Sequence, residues 1–129
     1  MEYVMENSTK HFYFQLKSFL KELNGTFPED DELKMITSSI TIYSMDDDEN
    51  TLIKKFYTQL YPLELLIQNH DNTFFAIDHS VYWKKSSYEY ALFTKLTGYW
   101  SQLHDSNRKV VWDYIHLIYN LSKDFNERK

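Results

Sequence analysis

Apolar residues recur at helical spacing along most of the chain. Phe12, Leu16, Phe19, Leu20 and Leu23 fall at i, i+4, i+7, i+8 and i+11, which predicts a first helix starting near Ser8 or Thr9 and stopped by Gly25. After Phe27-Pro28, the run Glu29, Asp30, Asp31 and Glu32 crowds the first turn of a second helix, where carboxylates meet the positive end of the helix dipole. Leu33, Ile36, Ile40 and Tyr43 are its expected buried stripe, although residues 36–42 are rich in β-branched side chains and leave a strand as the alternative. Asp46-Asp47-Asp48-Glu49-Asn50 reads as the cap and acidic first turn of a third helix carrying Leu52, Ile53, Phe56 and Leu60. Pro62 ends it. Leu63, Leu65, Leu66 and Ile67 then form one or two turns lying across the core, followed by a turn at Asn69-His70-Asp71-Asn72.

The C-terminal half carries two further amphipathic stretches, each with a tryptophan. Ser86 with Glu89 three residues on makes a capping box, and Leu92, Leu96, Tyr99, Trp100 and Leu103 follow at helical spacing. Gly98 costs about 1 kcal/mol relative to Ala inside a helix, so it points to close helix approach or an adjacent turn. Asp105 or Ser106 is the expected cap of the last helix, with Val111, Tyr114, Ile115, Ile118 and Leu121 facing inward. Residues 74–85 have no clean period and are left irregular. The expected fold is therefore all-α: a compact bundle of five or six helices with an antiparallel C-terminal helix pair, one domain over 1–129 with short flexible ends at about 1–7 and 124–129. Only two Gly and two Pro occur, too few for the tight turns of a β-sandwich.

Composition adds one outlier. Aromatic residues make up 18% of the 129-residue chain, with eleven Tyr, nine Phe and three Trp, enough for a core and still some tyrosines for an interface. Cysteine is absent, which removes disulfides, thiolate metal sites and a cysteine nucleophile, and suggests a reducing compartment. No apolar run approaches the roughly 18 residues needed to span a bilayer, and the acidic start does not resemble a secretion signal, so a cytoplasmic protein without membrane contact is expected. The net charge of -5 lies wholly in residues 1–61, with 11 acidic against 6 basic residues, while residues 62–129 hold 8 of each. Such a half repels phosphate backbones and suits a basic partner surface.

Four groupings bear on chemistry. Asp46, Asp48 and Asn50 match the first, third and fifth positions of a calcium loop, but Thr51 stands where glycine is needed and Tyr57 where a bidentate carboxylate is needed. His70-Asp71 and Asp78-His79 could bring imidazoles and carboxylates together for metal or acid–base work, although their spacing matches no metal or catalytic motif. No cofactor or metal site is expected. Trp83-Lys84-Lys85, extended by Arg108 and Lys109, interleaves an aromatic ring with cations as a single-strand nucleic-acid platform does. Finally, Trp112 lies at the edge of the last helix's apolar stripe with Tyr119 seven residues on, a candidate aromatic ridge for a protein partner or self-association. With Asp46, Asp47 and Asp48 this ridge forms the leading expectation, a non-enzymatic interaction or assembly protein; the nucleic-acid patch is the alternative.

Trp100-Ser101-Gln102-Leu103 and the run Arg108 to Leu117, with Pro62, Ile67, Asp71 and Phe74-Phe75 before them, resemble small helical proteins of large nucleocytoplasmic DNA viruses of eukaryotes. The resemblance covers about residues 52–121, and the wealth of Lys, Asn, Ile, Tyr and Phe fits the AT-rich genomes of many such viruses. It implies no catalytic residues, and it implies a role in assembly or host interaction in the host cytoplasm, a virus factory or the virion.

Overall fold

The computed structural model describes the backbone of residues 2–128 and the side chains of residues 9–128. It is all-helical: α1 (Glu2–Thr26), α2 (Asp31–Met45), α3 (Thr51–Leu60), a five-residue α4 (Glu64–Gln68), α5 (Tyr88–Tyr99) and α6 (Asp105–Glu127), with short 3₁₀ turns between. The strand alternative for residues 36–42 is not taken, because Leu33, Ile36, Thr37 and Ile40 close a helical stripe. The Asn24 amide and the Thr37 hydroxyl bond each other at 2.8 Å, which satisfies the one polar group in that stripe.

Helix boundaries depart from the expected ones where a cap is read differently. Helix α1 starts at Glu2 and runs through Gly25, which has no positive φ and sits in the last turn rather than stopping the helix. At the other end α6 reaches Glu127, because Ser122 and Phe125 continue its buried stripe and the Asn126 amide donates to Ile53 O at 3.1 Å. The flexible end expected from residue 124 is thus helical up to Glu127, and that expected at 1–7 falls on residues whose side chains are outside the description. Helix α5 is capped by Ser87, whose Oγ accepts from Tyr90 N, and not by Ser86. Glu89 is released from the expected capping box; it is buried and meets Lys55 of α3 at 2.8 Å.

The helices associate in a defined order: α5 on α2, α2 on α1, α1 on α6 and α6 on α3. The last helix therefore lies mainly on α1 and α3, and α5 lies mainly on α2. Trp100, in the 3₁₀ turn that follows α5, meets Trp112 of α6 edge to face, 6.2 Å apart, and its carbonyl accepts from Arg108. Between α4 and α5 lie two successive 3₁₀ turns, Asn72–Phe75 and His79–Val81, each opened by an aspartate. Asp71 accepts from Thr73 N and Asp78 from Ser80 N, so Asn72–Phe75 and His79–Val81 are wound up and Phe74, Phe75 and His79 are turned inward.

Tyrosine hydroxyls cross-link this framework. Tyr13 of α1 donates to Asp47, Tyr99 of α5 to Asp30, Tyr119 of α6 to Glu64 and Tyr57 of α3 to Glu127. Each pairs a ring in or beside the core with a carboxylate on another element. A phenol buried on its ring side and bonded to an anion at its tip resists ionisation: burial, then the carboxylate, pushes Tyr119 and Tyr13 far up, and the Glu127 bond pushes Tyr57 to about 12.

Candidate functional site

The expected aromatic ridge on α6 is not at the surface. Trp112 and Tyr119 are both buried, the second completely. Adding them to Val111, Ile115, Ile118 and Ser122 widens the buried arc of α6, because α1, α3 and the segment around α4 enclose the helix on several sides. Trp112 stacks on His70 at 5.1 Å, meets Phe75 edge-on at 5.1 Å and donates from Nε1 to Asn72. The nucleic-acid patch also loses its ring. Trp83 is buried against Phe56 and Phe93, so no face is left for a base. Lys84 and Lys85 are exposed before α5, whereas Arg108 lies over the Trp100 ring at 5.5 Å and Lys109 pairs with Asp113 of its own helix.

The histidine pairs separate differently from expectation. Asp71 and Asp78 serve as caps, and the bonds from Thr73 and Ser80 hold both carboxyls below the usual range. His79 is buried, donating Nε2–H to Phe74 O at 2.8 Å and stacking on Phe93; burial pushes its pKa down. His70 does not meet it. Helix α4 ends with Asp71 N bonded to Leu66 O and His70 N to Ile67 O, which places His70 at the left-handed position (φ 49°) usually taken by glycine. Its Nε2 lies 2.9 Å from Nδ1 of His116, whose Nε2 lies 2.6 Å from the Gln68 carbonyl oxygen. The directions follow: His116 donates to Gln68, so its Nδ1 accepts from His70. Burial and the neighbouring imidazole push His116 down. This pair joins residues 46 apart in sequence, and no local spacing foretells it. Among the described residues no group of three or more His, Asp or Glu is placed to hold a metal, and no helix is long and apolar enough to cross a membrane.

The acidic run divides as well. Asp47 accepts from the amides of Thr51 and Leu52, both at 2.8 Å, and from Tyr13. Burial opposes its ionisation, yet these bonds hold its carboxyl below the usual range. It is therefore the cap of α3 from a distance, while Asp46 and Asp48 stay exposed.

What remains open is the face shared by α2 and α5. A cleft of about 640 Å³ lies between Glu32, Met35 and Ile36 of α2 and Tyr88, Ala91, Thr94, Lys95 and Gly98 of α5. A second hollow of about 290 Å³ lies between Ser39, Ile40 and Tyr43 of α2 and Ser87 and Tyr88. Tyr43, expected in the buried stripe, is 51% exposed, as is Met35, and Ile42 is 63% exposed. Met35, Ser39, Ile42 and Tyr43 fall at i, i+4, i+7 and i+8, one helix face turned outward. The α5 wall repeats at Tyr88, Ala91, Lys95 and Gly98, and a Cβ placed on Gly98 would meet nothing within 4 Å. Gly98 thus stands beside open space, not at a close helix approach, one residue before the helix end.

One end of this face is locked. Asp30 caps α2 through Leu33 N and takes bonds from Tyr99 Oη and Lys95 Nζ (3.0 Å), while Lys95 also reaches Glu32 at 2.8 Å. Phe27 stacks on Tyr99 at 3.8 Å above it. The Tyr99 hydroxyl first, then the Leu33 amide and Lys95, pull the Asp30 carboxyl down to about 2. No known protein family, curated protein or solved structure matches the chain.

Proposed function

We propose that this is a non-enzymatic interaction protein, an assembly or adaptor component, and that it docks a protein partner on the α2–α5 face. The observation that carries this reading is the coincidence, on one face, of an outward apolar stripe on α2 with an elongated cleft along α5. Exposed apolar residues elsewhere, such as Leu65 and Val81, are not beside either hollow and are normal for a soluble surface. Six carboxylates are taken up structurally: Asp30, Asp47, Asp71 and Asp78 cap turns and helices, Glu64 holds Tyr119 and Lys123, and Glu89 holds Lys55. The cytoplasmic viral assembly setting implied by the resemblance belongs to the same proposal.

The test is site-specific cross-linking. A photoreactive side chain at Tyr43 or Tyr88 is expected to capture a discrete protein in the native setting, with nothing captured from Leu65 or Val81. Equal capture from all four positions, or none from Tyr43 and Tyr88, removes the assignment of this face.

A further inference from the structure

We infer that the occupant of the α2–α5 groove is a cationic amphipathic helix of a partner protein, an inference that rests on the docking reading above and adds the chemistry of the partner. The backbone decides the form of the ligand. Both walls are helices, whose amides and carbonyls bond internally, so neither offers the free edge that an added strand needs. Recognition has to run through side chains, and an α-helix laid in a groove is the mode that does so.

The dimensions agree. The wall made by α5 and the turn after it runs from Tyr88 to Gln102, which at helical rise is about 21 Å, or roughly four turns of a docked helix. Ala91 and Gly98 keep the wall low enough for another helix to approach, and Met35 opposite them is the adaptable side chain that fits varied apolar ligands.

Charge selects among amphipathic helices. Residues 29–49 contain eight carboxylates and a single lysine, in a chain whose net charge is only -5. These carboxylates flank α2 at both ends. Asp30 and Asp47 are held as caps and Glu32 by Lys95, but Glu29, Asp46, Asp48 and Glu49 are exposed and outside every ion pair among the described residues. Lys85, at the α5 end of the cleft, is the one exposed cation on the wall. A ligand with apolar residues along one face and Lys or Arg toward both ends would cover Met35, Tyr43 and Tyr88 while meeting unpaired carboxylates. A second copy of the chain does not fit, since two-fold pairing through this face would set one acidic segment against the other.

The experiment uses the intact chain and three labelled helical peptides of about 18 residues, with the same leucine pattern and Lys, Gln or Glu at the polar positions, followed by fluorescence anisotropy. The Lys/Leu peptide is expected to bind at least about tenfold more tightly than the Gln/Leu peptide, with the difference shrinking as salt rises, and the Glu/Leu peptide is expected not to bind. The double variant Met35→Ser, Tyr43→Ser should lose at least about tenfold in affinity while Leu65→Ser binds as the native chain does. All these positions are exposed, and circular dichroism confirms that the helices are kept. Equal affinity for Lys/Leu and Gln/Leu overturns the cationic assignment and leaves the docking face standing. Lys/Leu binding untouched by the double variant overturns it too, because the attraction is then elsewhere. No binding of any peptide overturns this inference and counts against the docking reading as well.

Discussion

The α6 side and the α2–α5 face are both rich in apolar residues, and the protein uses them in opposite ways. On the α6 side, Phe75 stacks on Trp100 at 3.8 Å, Trp112 meets Phe74, Phe75 and Trp100, and the polar tips of Trp112 and Tyr119 end on Asn72 and Glu64. On the other face Met35, Ile42, Tyr43 and Tyr88 point to water, and none of them enters a ring contact among the described residues. Large rings gain most from leaving water, so the fold takes them into the core first, even where the buried indole N–H finds no partner, as at Trp83 and Trp100. A tryptophan on a helix is therefore a poorer sign of an interface than a methionine and an isoleucine at helical spacing that nothing covers.

The comparison is broken most decisively by truncation. Trp112→Ala removes a buried ring and leaves the Asn72 carbonyl without its donor, and the expected cost is about 3–5 kcal/mol. Met35→Ala, at a half-exposed position, should stay within about 0.5 kcal/mol. Urea unfolding measures both. Similar midpoints for the two variants would mean that the α6 side is no better packed than the open face.

A middle-sized effect is expected at the lock that holds α2 against α5. Asp30→Ala deletes a helix cap together with the acceptor of Tyr99 and Lys95, at a cost of about 2–4 kcal/mol. The pH dependence has a definite sign. The folded carboxyl titrates at about 2, below its ordinary value, so its stabilisation is complete above that ordinary value and disappears as pH falls toward 2. Thermal midpoints of the native chain should drop more steeply between about pH 4 and pH 2 than those of Asp30→Asn, which has no charge to lose. Parallel curves would show that the lock does not depend on the ionised carboxylate.

Sequence pattern alone carries the helix-rich class and most of the core, since Phe12, Leu16, Phe19, Leu20 and Leu23, and likewise Leu52, Ile53, Phe56 and Leu60, are buried as their spacing requires. Periodicity gives the middle of a buried stripe and not its width. The width depends on how many neighbours surround the helix, which is why Trp112 and Tyr119 turn inward on crowded α6 and Tyr43 turns outward on α2. The two 3₁₀ turns did have a local signal, Asp71-Asn72-Thr73 and Asp78-His79-Ser80, an aspartate two residues before a hydroxyl residue; the first stands just before the stretch without a period and the second inside it. Long-range pairings such as Tyr99 with Asp30 or His70 with His116 have no local signature. The candidate face was not legible, because it is defined by what fails to cover α2.

The smallest expected effect sharpens the open side of the comparison. Gly98 has ordinary helical backbone, and a methyl group added there meets no atom within 4 Å. Glycine costs a helix up to about 1 kcal/mol relative to alanine, and less near an end, so Gly98→Ala should stabilise the protein by about 0.5–1 kcal/mol. That corresponds to a rise of about 2–5 °C in the thermal midpoint for a domain of this size. A gain of this kind is available only where the cleft wall is uncovered in the isolated chain. The same substitution narrows the groove, so it should weaken a docked helix while strengthening the fold, and a lowered midpoint would show instead that another part of the chain already occupies the cleft.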